Sequence, residues 1–125
     1  MLRRRLLSFK YAFKGIAYLF VSQPHARFHA VAAIAVVLLG LWLQIDRTDW
    51  ALLTLSIGGV LMAEAFNTAL EELTDLVSPE YHLLAGRTKD VAAGAVLLFA
   101  MAALVVGGLI FIPKLLQWWM STGTY

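Results

Sequence analysis

Glu64, Asn67, Thr68, Glu71 and Asp75 read E-x-x-N-T-x-x-E-x-x-x-D and lie within a long, mostly apolar segment. At about 100° per residue, the five positions fall within a roughly 100° arc of one helix face. The stretch before them, Trp50 to Met62, is almost purely apolar. A carboxylate inside a membrane costs ~2.5–3.5 kcal/mol at mid-bilayer on insertion scales, so two of them on one stripe need a reason. Residues of these types bind hard cations, accept a proton or contact a polar substrate.

The elements that hold this stripe follow from composition. The chain has 125 residues, of which 61% are hydrophobic and 14% charged. Soluble domains are closer to half apolar and a quarter charged, so a single small integral membrane domain over residues 1–125 is expected. There is no cysteine, which excludes disulfides and thiolate metal sites. Arg3 to Arg5 resemble the start of a signal peptide. The following stretch is amphipathic and carries Lys10 and Lys14, so no cleavable signal is expected.

Hydropathy predicts an all-α membrane protein with three transmembrane helices, over 28–45, 50–77 and 91–116. The second fades in apolar character after Met62 and extends beyond the membrane. Residues 2–21 predict a fourth helix of another kind. Leu6, Leu7, Phe9, Phe13, Ile16, Ala17 and Phe20 recur at helical spacing, opposite Arg3, Arg4, Arg5, Lys10 and Lys14. That pattern suits an amphipathic helix on the membrane surface. Ser22-Gln23-Pro24 ends it, because Pro disfavours helix in the residue before it.

Eight of the ten Lys and Arg residues flank one side of these spans: Arg3, Arg4, Arg5, Lys10, Lys14, Arg27, Arg87 and Lys89. Arg47 and Lys114 lie on the other. The positive-inside rule puts the N-terminus and the 78–89 loop in the cytoplasm, with the C-terminus outside. Trp42, Trp50, Trp118 and Trp119 then gather at the outer interface. Glu64 lies one to two turns inside the cytoplasmic boundary, and Glu71 is about 10.5 Å of helix rise further out. Lys89 and Asp90 are expected to open the third span at the same level, where helix amides would add to the positive field.

Taken together, Glu64-x-x-Asn67-Thr68-Ala69-Leu70-Glu71-x-x-x-Asp75, Glu80-Tyr81-His82-x-x-x-Gly86-x-x-Lys89-Asp90-x-Ala92-x-Gly94-Ala95-Val96 and Tyr11-x-x-Lys14-Gly15 resemble the prokaryotic diacylglycerol kinase family, with its undecaprenol kinase relatives. The resemblance implies a homotrimer with active sites between protomers. It implies transfer of the ATP γ-phosphate, with Mg²⁺, to a membrane lipid alcohol. Matched position by position, Glu64 is the catalytic base and Glu71 a metal ligand. Asn67, Glu71, Lys89 and Asp90 surround the nucleotide, and Arg4, Tyr11, Gln23, Glu80, Tyr81 and His82 contact it. The family often has a second metal-binding Glu where this chain has Gln23, which keeps a carbonyl ligand and loses the charge. Arg27-Phe28-His29 is similar to the undecaprenol kinase branch. No nucleic-acid partner is expected.

No Walker A loop, kinase Gly-rich loop or H-R-D motif is present. Without the resemblance, the alternative from another class is a small oligomeric ion or proton conduit on the Glu64 stripe. The one-sided Lys89-Asp90 pair argues against it. His25 and His29, spaced i, i+4, are read as interfacial or packing residues, because no third metal ligand is evident. Glu72 lies off the stripe and is read as solvated. Gly58-Gly59 and Gly107-Gly108 are read as sites of close helix approach, and Lys114 as a snorkelling residue.

Overall fold

A computed structural model describes residues 2–122, and among them every regular element is an α-helix. The order is α1 (Leu2–Ser22), α2 (Pro24–Trp42), α3 (Arg47–Val77) and α4 (Leu83–Thr122). The last three are long and apolar enough to cross a membrane. The protein is thus an all-α membrane protein with an N-terminal helix ahead of three membrane-crossing ones.

Local chemistry sets each boundary. Gln23 alone separates α1 from α2, in an extended conformation (φ −110°, ψ 111°), and Pro24 takes the first helical position. That is the arrangement Pro imposes, since it lacks an N–H and biases its predecessor away from helix. α2 closes in a Schellman motif: Gln44 N–H donates to the Leu41 carbonyl (3.3 Å) and Ile45 N–H to the Gly40 carbonyl (3.1 Å). Gln44 occupies the left-handed position with φ 51°. Asp46 then caps α3, its carboxylate accepting from Asp49 N–H at 2.9 Å.

An L-residue with a side chain pays for left-handed backbone, and glycine does not. Gln44→Gly is therefore expected to stabilise the fold by ~0.5–1 kcal/mol, after allowing for glycine's larger entropy loss. A thermal unfolding midpoint in detergent measures this. A lowered midpoint would contradict the turn geometry.

The helices extend beyond the apolar spans. α2 starts at Pro24 and ends at Trp42, four and three residues before the limits of the 28–45 segment. α3 has 31 residues and α4 has 40, so they are ~46 and ~60 Å long against a hydrocarbon core of ~30 Å. α4 begins at Leu83, eight residues before the 91–116 segment, and only Ser78–His82 remains outside helix. The expected 78–89 loop is therefore mostly helical. The polar Arg87-Thr88-Lys89-Asp90 run lowers hydropathy without breaking a helix, and Gly86 N–H bonds the His82 carbonyl at 3.0 Å.

α3 and α4 form the main pairing of the bundle. At Gly59 a Cβ would lie 2.0 Å from the Phe99 ring, so only glycine admits the aromatic there. Of the four paired glycines, Gly59 makes the tight approach. Gly58 and Gly107 face open space, and Gly108 makes an ordinary contact within its own helix. The core lies at the end bearing the α2–α3 turn, where Ile45, Leu53, Ile110 and Phe111 are buried. At that end Trp42 and Trp118 meet edge to face at 5.1 Å. Lys114 Nζ pairs there with Asp49 at 3.3 Å, so it has a carboxylate partner and does not simply snorkel.

Candidate active site

Leu53, Ser56, Gly59, Val60, Glu64 and Thr68 form the buried face of α3. Steps of three and four keep them on one stripe. The polar residues found in the sequence continue this apolar stripe, so the packing that holds α3 also turns Glu64 inward. Glu64 is only 4% exposed. Its Oε1 lies 3.2 Å from His29 Nε2 on α2. Thr68 Oγ1 donates to the Glu64 carbonyl at 2.9 Å, which occupies the hydroxyl within its own helix.

One turn further along, Asn67 Nδ2 donates to Glu71 Oε1 at 3.2 Å. Asn67 Oδ1 is buried and has no hydrogen-bond partner among the described residues. An orphaned carbonyl oxygen in a buried position is costly unless something binds it. Beside it the Glu71 carboxylate offers a second hard oxygen. Among the described residues no three His, Cys, Asp or Glu side chains converge on a common point. Mg²⁺ commonly takes one or two carboxylates and fills its octahedron with waters and substrate phosphates. Glu71 and Asn67 thus fit a Mg²⁺ ion arriving with a nucleotide.

Gln23 is half-buried at the α1–α2 junction and uses no side-chain atom to cap α2. Arg4 and Tyr11 are exposed on α1, where Lys14 Nζ lies 5.9 Å from the Tyr11 ring centre. Glu80, Tyr81 and His82 form the exposed α3–α4 connection, with His82 Nδ1 accepting from Leu84 N–H at 3.2 Å. Asp90 is exposed on α4. The structure thus joins Glu64 to His29 and Asn67 to Glu71. It gives Arg4, Tyr11, Glu80 and Tyr81 no contact with that group among the described residues.

Three expectations change. Lys89 and Asp90 do not open a helix: they sit in the second turn of α4, where backbone amides are already used inside the helix. Lys89 Nζ is hydrogen-bonded to Asp75 Oδ1, so the α3 stripe already holds its charge. Any phosphate would have to compete with that carboxylate. Glu72 is not merely solvated, because Tyr18 Oη donates to its Oε1 at 2.6 Å and ties α1 to α3. That hydrogen bond and the Glu72 charge hold the Tyr18 phenol above its usual range.

His29 is the site residue that sequence reasoning misplaced. It also lines an apolar groove of about 450 Å³ between α2, α3 and α4, whose lining includes Val36, Ile57, Val60, Leu104 and Phe111. The apolar groove therefore reaches the His29 side of the pair that contains the buried carboxylate. Its α4 wall, from Ala100 to Phe111, spans ~16 Å of helix rise.

Residues 10–111 match the family model described as prokaryotic diacylglycerol kinase. The chain is 40% identical over 114 residues to an undecaprenol kinase of Bacillus subtilis, covering 91% of this chain and 93% of that protein. It is 44% identical over 113 residues to a diacylglycerol kinase of Synechocystis, covering 90% of this chain and 65% of that one. With a diacylglycerol kinase of Escherichia coli it shares 33% identity over 95 residues, 76% and 78% of the two chains.

Proposed function

This membrane lipid kinase belongs to the prokaryotic diacylglycerol kinase family, and from that premise we propose that it transfers the γ-phosphate of ATP to the hydroxyl of undecaprenol. The observation that carries the reaction is the placement of Glu64. Its carboxylate is buried and paired with His29, which itself lines an apolar groove; in this reading the acceptor lipid lies in that groove with its hydroxyl toward the pair.

Phosphoryl transfer asks a protein mainly for positioning and charge stabilisation. Glu64 takes the proton from the acceptor hydroxyl as the oxygen–phosphorus bond forms, and the bond to the ADP leaving oxygen breaks. Asn67 and Glu71 hold the phosphate end, and Mg²⁺, when bound there, supplies positive charge for the phosphate oxygens. Lys89 exchanges its bond to Asp75 for one to phosphate. Arg4, Tyr11, Gln23, Glu80, Tyr81, His82 and Asp90 are assigned to the nucleotide. The homotrimer with active sites between protomers that the family resemblance implies is part of this reading.

The end bearing Lys89, Asp75, Tyr18 and Glu72 is assigned to the cytoplasm, where ATP is found, because eight of the ten basic residues lie on that side. Undecaprenol is favoured over diacylglycerol by Arg27-Phe28-His29, the pattern similar to the undecaprenol kinase branch. An ion conduit finds less support: on the far side of Glu64 the buried face of α3 carries Val60, Gly59 and Leu53. Ser56, the one polar residue there, gives its hydroxyl to the Leu52 carbonyl at 2.9 Å.

Radiolabelled ATP, incubated with the protein and a panel of lipid alcohols in mixed micelles, tests this function. A labelled lipid phosphate is expected, and its absence with every lipid would overturn the proposal. In the same assay, Glu71→Gln is expected to raise the Mg²⁺ concentration for half-maximal rate by about tenfold, the effect of losing one charged oxygen ligand. The lipid KM should stay within about twofold, because Glu71 lies away from the groove. Gln23→Glu is expected to lower the Mg²⁺ requirement. An unchanged Mg²⁺ dependence in Glu71→Gln would make Glu71 structural.

A further inference from the structure

We propose that His29 is a positioning residue for Glu64: its Nε2–H fixes Oε1 and leaves Oε2 to face the acceptor hydroxyl. The proposal rests on Glu64 being the base. Three observations carry it. The two side chains come from different helices and meet at 3.2 Å. Glu64 is buried, and among the described residues its carboxylate has no other polar partner. His29 also forms part of the groove wall, among lining residues none of which is otherwise titratable.

A glutamate has three rotatable side-chain bonds, and an unpartnered carboxylate would sample several positions. Proton transfer needs one of its oxygens within about 3 Å of the hydroxyl. A donor on a second helix selects one rotamer and orients the free oxygen along the groove. Both the neutral Nε2–H tautomer and the imidazolium can donate this bond. Phe28 restrains the imidazole in turn, with the rings edge to face at 5.6 Å. The other charged or titratable groups near this level are His25 and Arg27, on the same helix one turn and two residues before His29. From α3 it is Glu64 that faces His29.

The test compares His29→Leu and His29→Gln in the full-length protein, in detergent, with and without Glu64→Gln. Leu fills the imidazole's space and cannot donate, whereas Gln keeps an N–H of similar reach. His29→Leu is expected to lower kcat by about 10²-fold, the effect of a misplaced reacting group, with the ATP KM unchanged. His29→Gln should recover activity to within about tenfold of the wild type, because an amide N–H can hold Oε1. In the Glu64→Gln background, His29→Leu should add no further loss, since there is no base left to position. Circular dichroism and oligomer size should match the wild type in each variant.

Full activity in His29→Leu would overturn the proposal while leaving Glu64 as the base. So would a His29→Gln protein as inactive as His29→Leu, because hydrogen bonding alone would then not explain the residue. Should His29→Leu fail to fold, His29→Gln decides by itself through the same comparison with the wild type. Activity in Glu64→Gln alone would instead remove the premise, so the two failures are distinguishable.

Discussion

Glu64→Gln is expected to lower kcat for phosphoryl transfer by ~10²–10⁴-fold, the range a general base contributes, and to leave the helical fold intact. Gln has the same shape and keeps an oxygen toward His29, so the α2–α3 contact at 3.2 Å has a substitute. What disappears is the ability to take the acceptor's proton. Initial rates with saturating ATP and lipid measure the effect, alongside a thermal midpoint. A rate within a few-fold of the wild type would end the assignment of Glu64 as base.

The second large effect concerns the acceptor. Undecaprenol should exceed glycerol in kcat/KM by ~10³-fold or more, because each buried CH₂ contributes ~0.8 kcal/mol and five suffice for that factor. The groove along α2, α3 and α4 supplies this burial, and a soluble alcohol has nothing to place in it. Undecaprenol should also be the better substrate when it and diacylglycerol are compared in the same micelles. A preference of tenfold or more for diacylglycerol would reverse the acceptor assignment. Efficient phosphorylation of glycerol would overturn the membrane-acceptor model itself.

His29 shows how far the site could be read from the chain. It is the one ionisable residue of the 28–45 segment, and it lies thirteen residues before Trp42, while Glu64 lies fourteen after Trp50. Both tryptophans mark the same end of the bundle, so the two polar groups share a depth. That coincidence was available in the sequence. It is obscured because the i, i+4 spacing of His25 and His29 points to a metal pair on one helix, and no local pattern links His29 to Glu64. Lys89 shows a different gap. Hydropathy locates where a helix enters lipid, whereas the start of α4 depends on backbone hydrogen bonds that polar residues form equally well.

By itself the sequence determined the membrane class, the number of helices and the polar stripe on α3. Hydrophobicity, proline breaks and a 3.6-residue period are local properties that act along a single chain direction. Tertiary structure decided the partners: Glu64 with His29, Glu72 with Tyr18, Lys89 with Asp75, and Lys114 with Asp49. Such contacts depend on the rotation and depth of two helices at once. Those are set by packing at a few points such as Gly59 against Phe99, which carries no linear pattern because the interlocking shapes lie forty residues apart in the chain.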